Sequence, residues 1–226
     1  MFEGINLFPL FLSLRVALTA TLFAFIIGIP IAYYLSRSNG RVADIIDTII
    51  TLPIVLPPTV LGYYLLVLLG RQSTIGKFLE ERFDITIVFT PAGAVIAALV
   101  VSIPFLIKSA RSAFAGIDPT LLNAARVLGR NELNIFLTII IPLAWRGIVA
   151  GITLGFARAL GDFGATLMVA GSIPNQTMTM PIAIYDALLA GDRELANILV
   201  FIMTVVSISI LYIINRLEKR MIKGNG

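Results

Sequence analysis

The chain has 226 residues, of which 58% are hydrophobic and only 13% charged, and its mean hydropathy is +0.96. Because about a quarter of the residues in a soluble domain are charged, this composition excludes a soluble protein and indicates an integral membrane protein. The chain has no cysteine and no histidine, which excludes disulfides, thiolate metal sites and histidine-based catalysis. Its net charge of +4 is informative only once the positions of the basic residues along the chain are known.

Five apolar segments are predicted to cross the membrane. Four carry no charge over about 20 residues, the length that a membrane helix needs, and they occupy 16–36, 48–70, 85–107 and 195–215. A fifth, interrupted by charged residues, is predicted at 145–167. The fold class is therefore an all-α integral membrane protein with five helices. The apolar stretch 178–191 would be a sixth, but it is short and contains Asp186, so an external or re-entrant helix is favoured there.

The basic residues predict the orientation of these helices. They concentrate in the connection 37–41, in the segment 108–130 and in the C-terminal tail, all on one side of a five-helix chain. The loops 71–84 and 171–194 lie on the other side and are not basic. The positive-inside rule then places the N-terminus outside and the C-terminus in the cytoplasm. The basic residues of these three segments are Arg37, Arg41, Lys108, Arg111, Arg126, Arg130, Arg216, Lys219, Arg220 and Lys223.

Prolines interrupt the predicted spans, most densely in the second. Proline removes a backbone donor, which neighbouring helices must compensate inside lipid. Two interpretations stay open: ordinary kinks set by packing, or bent helices that line a pathway which opens and closes. The residues are Pro30, Pro53, Pro57, Pro58 and Pro104.

A short charged helix is predicted between the third and fourth spans. Asp118 suits an N-cap, Pro119 suits the first helical position, and Gly129 suits the residue after the C-cap. About ten residues, or about 15 Å, are too few to cross a membrane or to be stable alone. The helix is therefore expected to dock, either on a lipid surface or on a protein, with Arg126 and Arg130 reaching headgroups or an acidic partner. Its predicted apolar stripe is Leu121, Leu122, Ala125 and Leu128.

The spacing in this helix resembles the signature loop of binding-protein-dependent ABC importer permeases. That pattern reads Glu-Ala-Ala, three residues, Gly, nine residues, Ile, one residue, Leu-Pro. The chain keeps every spacing but has Asn123 for the glutamate and Ile141 for the leucine. The resemblance implies a coupling helix at 117–130 that fits a cleft on a separate cytoplasmic ATPase. The implied coupling residues are Asn123, Ala124, Ala125, Arg126, Gly129, Ile139 and Pro142.

The segments 52–66 and 156–185 are similar to molybdate permease subunits, to which tungstate and sulfate permeases are related. The resemblance implies a type I ABC importer transmembrane domain over 1–226, with the coupling loop at 108–142. It also implies transport of a tetrahedral oxyanion, molybdate first and tungstate or sulfate as alternatives. The implied partners are a second copy of the chain, two ATPase subunits, an extracytoplasmic oxyanion-binding protein and membrane lipid, with no cofactor and no nucleic acid.

No acceptable nucleotide-binding loop is present in the sequence. The nearest match to Gly-x-x-x-x-Gly-Lys-[Ser/Thr] lies at 70–78, where five residues separate the glycines and Phe78 stands at the magnesium-binding position. The chain is therefore expected not to be an enzyme, and the ATPase activity is expected on a partner chain.

Arg158 and Asp162 are the ionisable residues expected at membrane depth, where such residues are functional candidates. Four residues apart, they share a helix face and could form a structural ion pair. Alternatively, Arg158 faces the pathway and attracts an oxyanion, while glycines break the helix and free N–H groups for the anion. The candidate pathway residues are Arg158, Gly161, Asp162, Gly164 and Thr166.

Two other classes of function fit the sequence less well than the importer. A membrane enzyme acting on lipid headgroups would need a cluster of catalytic groups at one interface, and the chain lacks histidine and cysteine and has few carboxylates near the membrane. A passive channel would have no need of a docking helix with this spacing.

Overall fold

The computed structural model describes residues 6–223, without the side chains of 215 and 217–223. Every regular element in this range is helical, which confirms the all-α fold. The described side chains do not include three basic residues of the C-terminal tail, Lys219, Arg220 and Lys223. The helices are α1 (Phe8–Arg37), α2 (Arg41–Val55), α3 (Pro58–Leu69), α4 (Thr74–Phe83), α5 (Pro91–Ala115), α6 (Pro119–Val127), α7 (Glu132–Ile135), α8 (Ile141–Leu160), α9 (Gly164–Ala170), α10 (Met180–Leu189) and α11 (Arg193–Lys223), with a π-helical turn at Phe136–Ile140.

Four stretches within 6–223 are long and apolar enough to cross a membrane: Phe8–Arg37, Pro91–Ala115, Glu132–Leu160 and Arg193–Ile214. The pair α2 and α3 counts as a fifth, although the two helices are bent by 118° at their junction. This number agrees with the predicted five. The apolar helix α10 has 10 residues, or about 15 Å, which is half of the hydrocarbon thickness of about 30 Å.

The second span, predicted at 48–70 with prolines that interrupt it, consists of two helices. The first helix begins at Arg41 and ends at Val55, and the second begins at Pro58. A residue before proline is disfavoured in the helical region, and Leu56 is accordingly extended, with ψ of 140°. Single prolines do not end a helix here, since Pro30, Pro53 and Pro104 lie inside α1, α2 and α5. The consecutive prolines at 57 and 58 therefore separate α2 from α3.

The fourth span begins earlier than the predicted 145–167, because the helix runs from Glu132 to Leu160. Its first turns include the π-helical turn, where the N–H of Ile141 donates to the carbonyl of Phe136. The next residue, Pro142, has no N–H, and its ring would clash with the carbonyl four residues earlier in a regular α-helix. The wider turn avoids that clash. After Leu160 the helix breaks, and α9 resumes at Gly164.

The centre of the bundle is formed by α1, α5 and α8, which approach closely through small side chains. A Cβ atom on Gly147 would lie 2.4 Å from the Cβ of Ala113, and one on Gly151 would lie 3.0 Å from the carbonyl oxygen of Leu106. By contrast, α11 has only 6% of its spanning window buried, and Ala43 is the buried residue of α2. These two helices therefore present apolar surface to lipid or to another chain.

Candidate functional site

The short helix α6 has the ends that its sequence predicts. At its N-terminus, Asp118 Oδ1 accepts from the N–H of Thr120 at 2.8 Å, and this bond lowers the pKa of the Asp118 carboxyl. At its C-terminus Gly129 has a φ of +78°. The N–H of Gly129 donates to Arg126 (2.9 Å) and that of Arg130 donates to Ala125 (3.1 Å), the bond pair of a Schellman motif. The prediction of a capped helix is confirmed, with nine residues rather than ten.

The predicted apolar stripe of α6 is buried only in part. Leu122 and Ala125 are buried in the cluster that contains Phe114 and Ile135, so they pack α6 against the helix bundle. Their companions Leu121 and Leu128 are exposed, by 52% and 82%, as is Val127 by 88%. With the exposed Ala124, they form an apolar outer ridge beside the buried residues of the helix. The outer ridge is defined as Leu121, Ala124, Val127 and Leu128.

Arg126 was expected to reach outward, but it is engaged within its own loop. Its Nε lies 2.6 Å from Glu132 Oε1, and its Nη2 lies 3.1 Å from Glu132 Oε2. Its Nη1 donates to Asn123 Oδ1 at 2.9 Å. The hydrogen bonds to Glu132 raise the pKa of Arg126 further above its ordinary value. Sequence reasoning missed Glu132 as a partner, although an acidic residue three positions after the turn glycine was a usable signal.

The second half of the signature joins this helix to the bundle. Phe136 packs against Tyr33 of α1 with ring centroids 5.0 Å apart and the rings tilted by 59°, and Phe114 of α5 completes the group. Ile139 is partly buried against the same cluster, whereas Pro142 is exposed and follows the π-helical turn. These contacts pack the segment after α6 against α1 and α5.

A group of charges that the sequence analysis did not single out ties α2 to α5. Asp47 Oδ1 lies 2.8 Å from Lys108 Nζ and 2.9 Å from Arg111 Nη1. Lys108 and Arg111 belong to the last turns of α5, immediately before the loop that contains α6. The bent second span is thus linked by ion pairs to the helix that leads into α6.

Arg158 and Asp162 form the predicted pair, with Arg158 Nη1 at 3.2 Å from Asp162 Oδ1. The Asp162 side chain is only 1% exposed and that of Arg158 is 27% exposed. Asp162 Oδ2 also accepts from the N–H of Thr166 at 2.9 Å and from its hydroxyl at 2.8 Å. The predicted helix break is present, but the expectation of N–H groups left free for an anion is wrong for Thr166, because Asp162 occupies that donor.

The break between α8 and α9 faces the bend between α2 and α3. A Cβ atom on Gly164 would lie 3.1 Å from the Cβ of Pro58, and one on Gly62 would lie 2.6 Å from the Cβ of Met168. Gly161 is exposed at the end of α8. The structure therefore brings the candidates Asp162, Gly164 and Thr166 together at the irregular part of two broken spans.

A family model described as "Binding-protein-dependent transport system inner membrane component" matches residues 21–223. The chain belongs to this family. It is therefore a multi-pass membrane component of an importer that works with an ATPase and a binding protein, and it is not itself an enzyme.

Named relatives are similar over nearly the whole chain. The molybdenum transport system permease protein of Escherichia coli (strain K12) is 41% identical over 202 residues, which are 88% of each chain. The molybdenum transport system permease protein of Haemophilus influenzae is 37% identical over 219 residues, 95% of this chain and 96% of that one.

Solved structures show the same fold at lower identity. A chain of the MetNI methionine ABC transporter, in an inward-facing conformation, has a TM-score of 0.75 at 16% identity, with 97% of this chain and 99% of that one covered. A chain of a bacterial alginate ABC transporter, in complex with a periplasmic protein carrying an alginate pentasaccharide, has a TM-score of 0.70 at 14% identity, with 94% and 79% covered. These likenesses confirm the type I importer fold.

Proposed function

We propose that this protein is the membrane-spanning subunit of a molybdate importer, driven by ATP hydrolysis on a partner chain. The choice of molybdate rests on the sequence identity of about 40% to permeases named for molybdenum transport, over nearly the full length of each chain. Tungstate and sulfate are the alternatives, since both are tetrahedral oxyanions.

The coupling part of the proposal assigns α6 to the ATPase. The helix is nine residues long and capped at both ends, and it presents an exposed apolar ridge that its own chain does not cover. Exposed apolar patches of this kind mark interaction sites. Because Leu122 and Ala125 anchor α6 in the bundle core, ATP-driven movement of the partner is transmitted to the spans. Ile139 and Pro142 belong to this unit through the π-helical turn.

The assembly that we propose contains two copies of this chain, two ATPase subunits and one binding protein. The exposed apolar surface of α2 supports a second copy at that face, since closed two-fold dimers are the commonest oligomers. The whole described chain acts as one transmembrane domain, with the coupling loop at 108–142. The basic connections support a cytoplasmic α6 and C-terminus, with the N-terminus outside. The binding protein then meets the loops 71–84 and 171–194.

The translocation pathway that we propose runs past the break between α8 and α9. The partly exposed guanidinium of Arg158 supplies positive charge there, and Asp162 reduces it. A weakened cation suits a transporter, because an anion that binds too tightly is not released. Gly161, Gly164 and Thr166 shape the irregular backbone beside it. The observation that favours a purely structural pair instead is the burial of Asp162, which holds the end of α8 to the start of α9.

Reconstitution of the protein with its ATPase and binding protein tests this function. Liposomes that contain the purified complex should accumulate molybdate only when ATP is supplied on the ATPase side. Tungstate should compete strongly and sulfate weakly. Accumulation of sulfate in preference to molybdate would reassign the substrate, and accumulation that needs neither ATP nor the binding protein would refute the importer.

A further inference from the structure

We propose that Arg126 and Glu132 form an intramolecular brace that fixes α6 against α7, and that the ATPase therefore recognises the apolar outer ridge and not the charge of Arg126. Glu132 supplies the carboxylate that the signature position lacks, since Asn123 stands where the pattern has glutamate. Both residues are positioning residues. The inference rests on the proposed coupling role of α6, and it specifies which chemistry the partner surface must have.

The contact between the two side chains has the geometry of a strong, directional pair. Two parallel N–H groups of Arg126 meet the two carboxylate oxygens of Glu132, at 2.6 Å and 3.1 Å. Asn123 takes a third donor of the same guanidinium at 2.9 Å, so donors on all three nitrogens of Arg126 are occupied inside the loop. A planar guanidinium makes such paired bonds, whereas a lysine ammonium does not. Arg126 is therefore directed into its own loop, although its side chain and that of Glu132 remain 45% and 63% exposed.

The turn that the brace crosses is also held by its backbone hydrogen bonds and by the burial of Leu122, Ala125 and Ile135 in one cluster. Gly129 lies between α6 and α7 with a φ of +78°, and a Cβ atom there would meet nothing within 4 Å. Asn131 caps α7 by accepting from the N–H of Asn134 at 2.7 Å, which orders α7 but does not connect it to α6. The pair of Arg126 and Glu132 adds a polar side-chain link across this turn. A push on α6 reaches the fourth span as a rigid movement only while the angle at this turn is fixed.

The outer ridge that α6 presents to a partner is apolar, and the exposed Arg130 follows it two residues later in the chain. Val127 and Leu128 are 88% and 82% exposed, the highest values among the large hydrophobic residues of the described chain. Ala124 lies between the larger side chains of the outer ridge and allows a partner surface to approach the helix. The cleft of the ATPase that receives this ridge is accordingly lined by apolar side chains, and its contact with α6 is insensitive to salt.

The test uses the complete complex in liposomes, with uptake measured per ATP hydrolysed and the amount of ATPase that co-purifies measured in parallel. Glu132→Gln and Arg126→Glu should each lower uptake per ATP about two- to fivefold, the scale expected for an exposed ion pair. The exchanged pair Arg126→Glu with Glu132→Arg should recover most of the loss. Asp44→Asn, an exposed carboxylate in the first turn of α2, is the matched control and should change nothing.

The outcomes separate the brace from a direct contact. Normal coupling in Glu132→Gln, together with an exchanged pair as impaired as Arg126→Glu alone, would overturn the brace and assign Arg126 to the partner surface. Leu128→Ser tests the coupling role itself and should reduce the ATPase that co-purifies, at low and high salt alike. If Leu128→Ser leaves both co-purification and uptake intact, the docking of α6 is wrong irrespective of the brace.

Discussion

Substitutions of Gly129 distinguish two effects on uptake: backbone strain at the end of α6 and steric conflict with a partner surface. Gly129 has a φ of +78°, a conformation that costs a non-glycine residue roughly 1–2 kcal/mol. A Cβ atom at this position would meet no other atom within 4 Å, so the chain itself imposes no further cost on a larger side chain. Any loss beyond the conformational strain of the substituted residue therefore reports a surface outside this chain.

The structure predicts a graded series at this position. Asparagine tolerates the left-handed region better than other non-glycine residues, so Gly129→Asn should retain most uptake. Gly129→Ala should lose about fivefold, because 1 kcal/mol changes a conformational equilibrium by that factor. Gly129→Val should abolish uptake, because a β-branched side chain adds bulk at the docking surface as well as strain.

The assay measures molybdate uptake in cells alongside the abundance of the protein in the membrane. All three variants should reach the membrane normally, since Gly129 is exposed at the end of a nine-residue helix. Gly40→Val is the control, because that glycine has an ordinary extended backbone with φ of −176° and open space at its Cβ position. Normal uptake by Gly129→Val, or a loss explained entirely by its absence from the membrane, would refute the reasoning.

Two further predictions concern the packing and the pathway. Gly147→Ala should destabilise the protein by roughly 1–3 kcal/mol, because the new Cβ atom would lie 2.4 Å from the Cβ of Ala113. Gly155→Ala is the control and should be tolerated, because its Cβ atom would lie 3.6 Å from the carbonyl oxygen of Ser102. Thermal unfolding in detergent measures the stability of both variants. Arg158→Ala should lower oxyanion transport more than assembly, and equal losses of both would favour the structural pair. Asp162→Ala should lower both together, because it leaves the buried N–H and hydroxyl of Thr166 unpartnered at a cost of roughly 1–3 kcal/mol.

Local features of the chain were predictable from the sequence. The caps of α6 depend on residues within one or two turns of each other, so Asp118 and Gly129 could be assigned from residue type and spacing. Four of the five spans followed from apolar segments without charge. The i, i+4 spacing likewise predicted the pair of Arg158 and Asp162, which the structure forms at 3.2 Å.

Features set by tertiary packing were not predictable in the same way. Helical periodicity placed Leu121 and Leu122 on one stripe, yet only contact with Phe114 and Ile135 decides that Leu122 is buried. The turn at Gly129 brings Glu132 back to Arg126, a contact that depends on the left-handed residue between them. The link of Asp47 to Lys108 joins residues 61 positions apart, which spacing rules do not reach.

The bend of the second span is an intermediate case. Consecutive prolines at 57 and 58 forbid a continuous helix, and their position was visible in the sequence. The size of the bend, 118°, depends on the space that Gly62 and Gly164 leave for α3 against α9. Sequence alone therefore left ordinary kinking and a mobile pathway as equal alternatives.

Photo-cross-linking from α6 tests the central claim that this helix docks on an ATPase. The chain has no cysteine, so Leu128→Cys introduces a unique attachment point for a photoreactive maleimide without removing any native thiol. Illumination of the assembled complex should produce an adduct of this chain with the ATPase from position 128, and none from Lys77→Cys on the exposed face of α4. An ATPase adduct from position 77, or adducts at position 128 with lipid alone, would contradict the account.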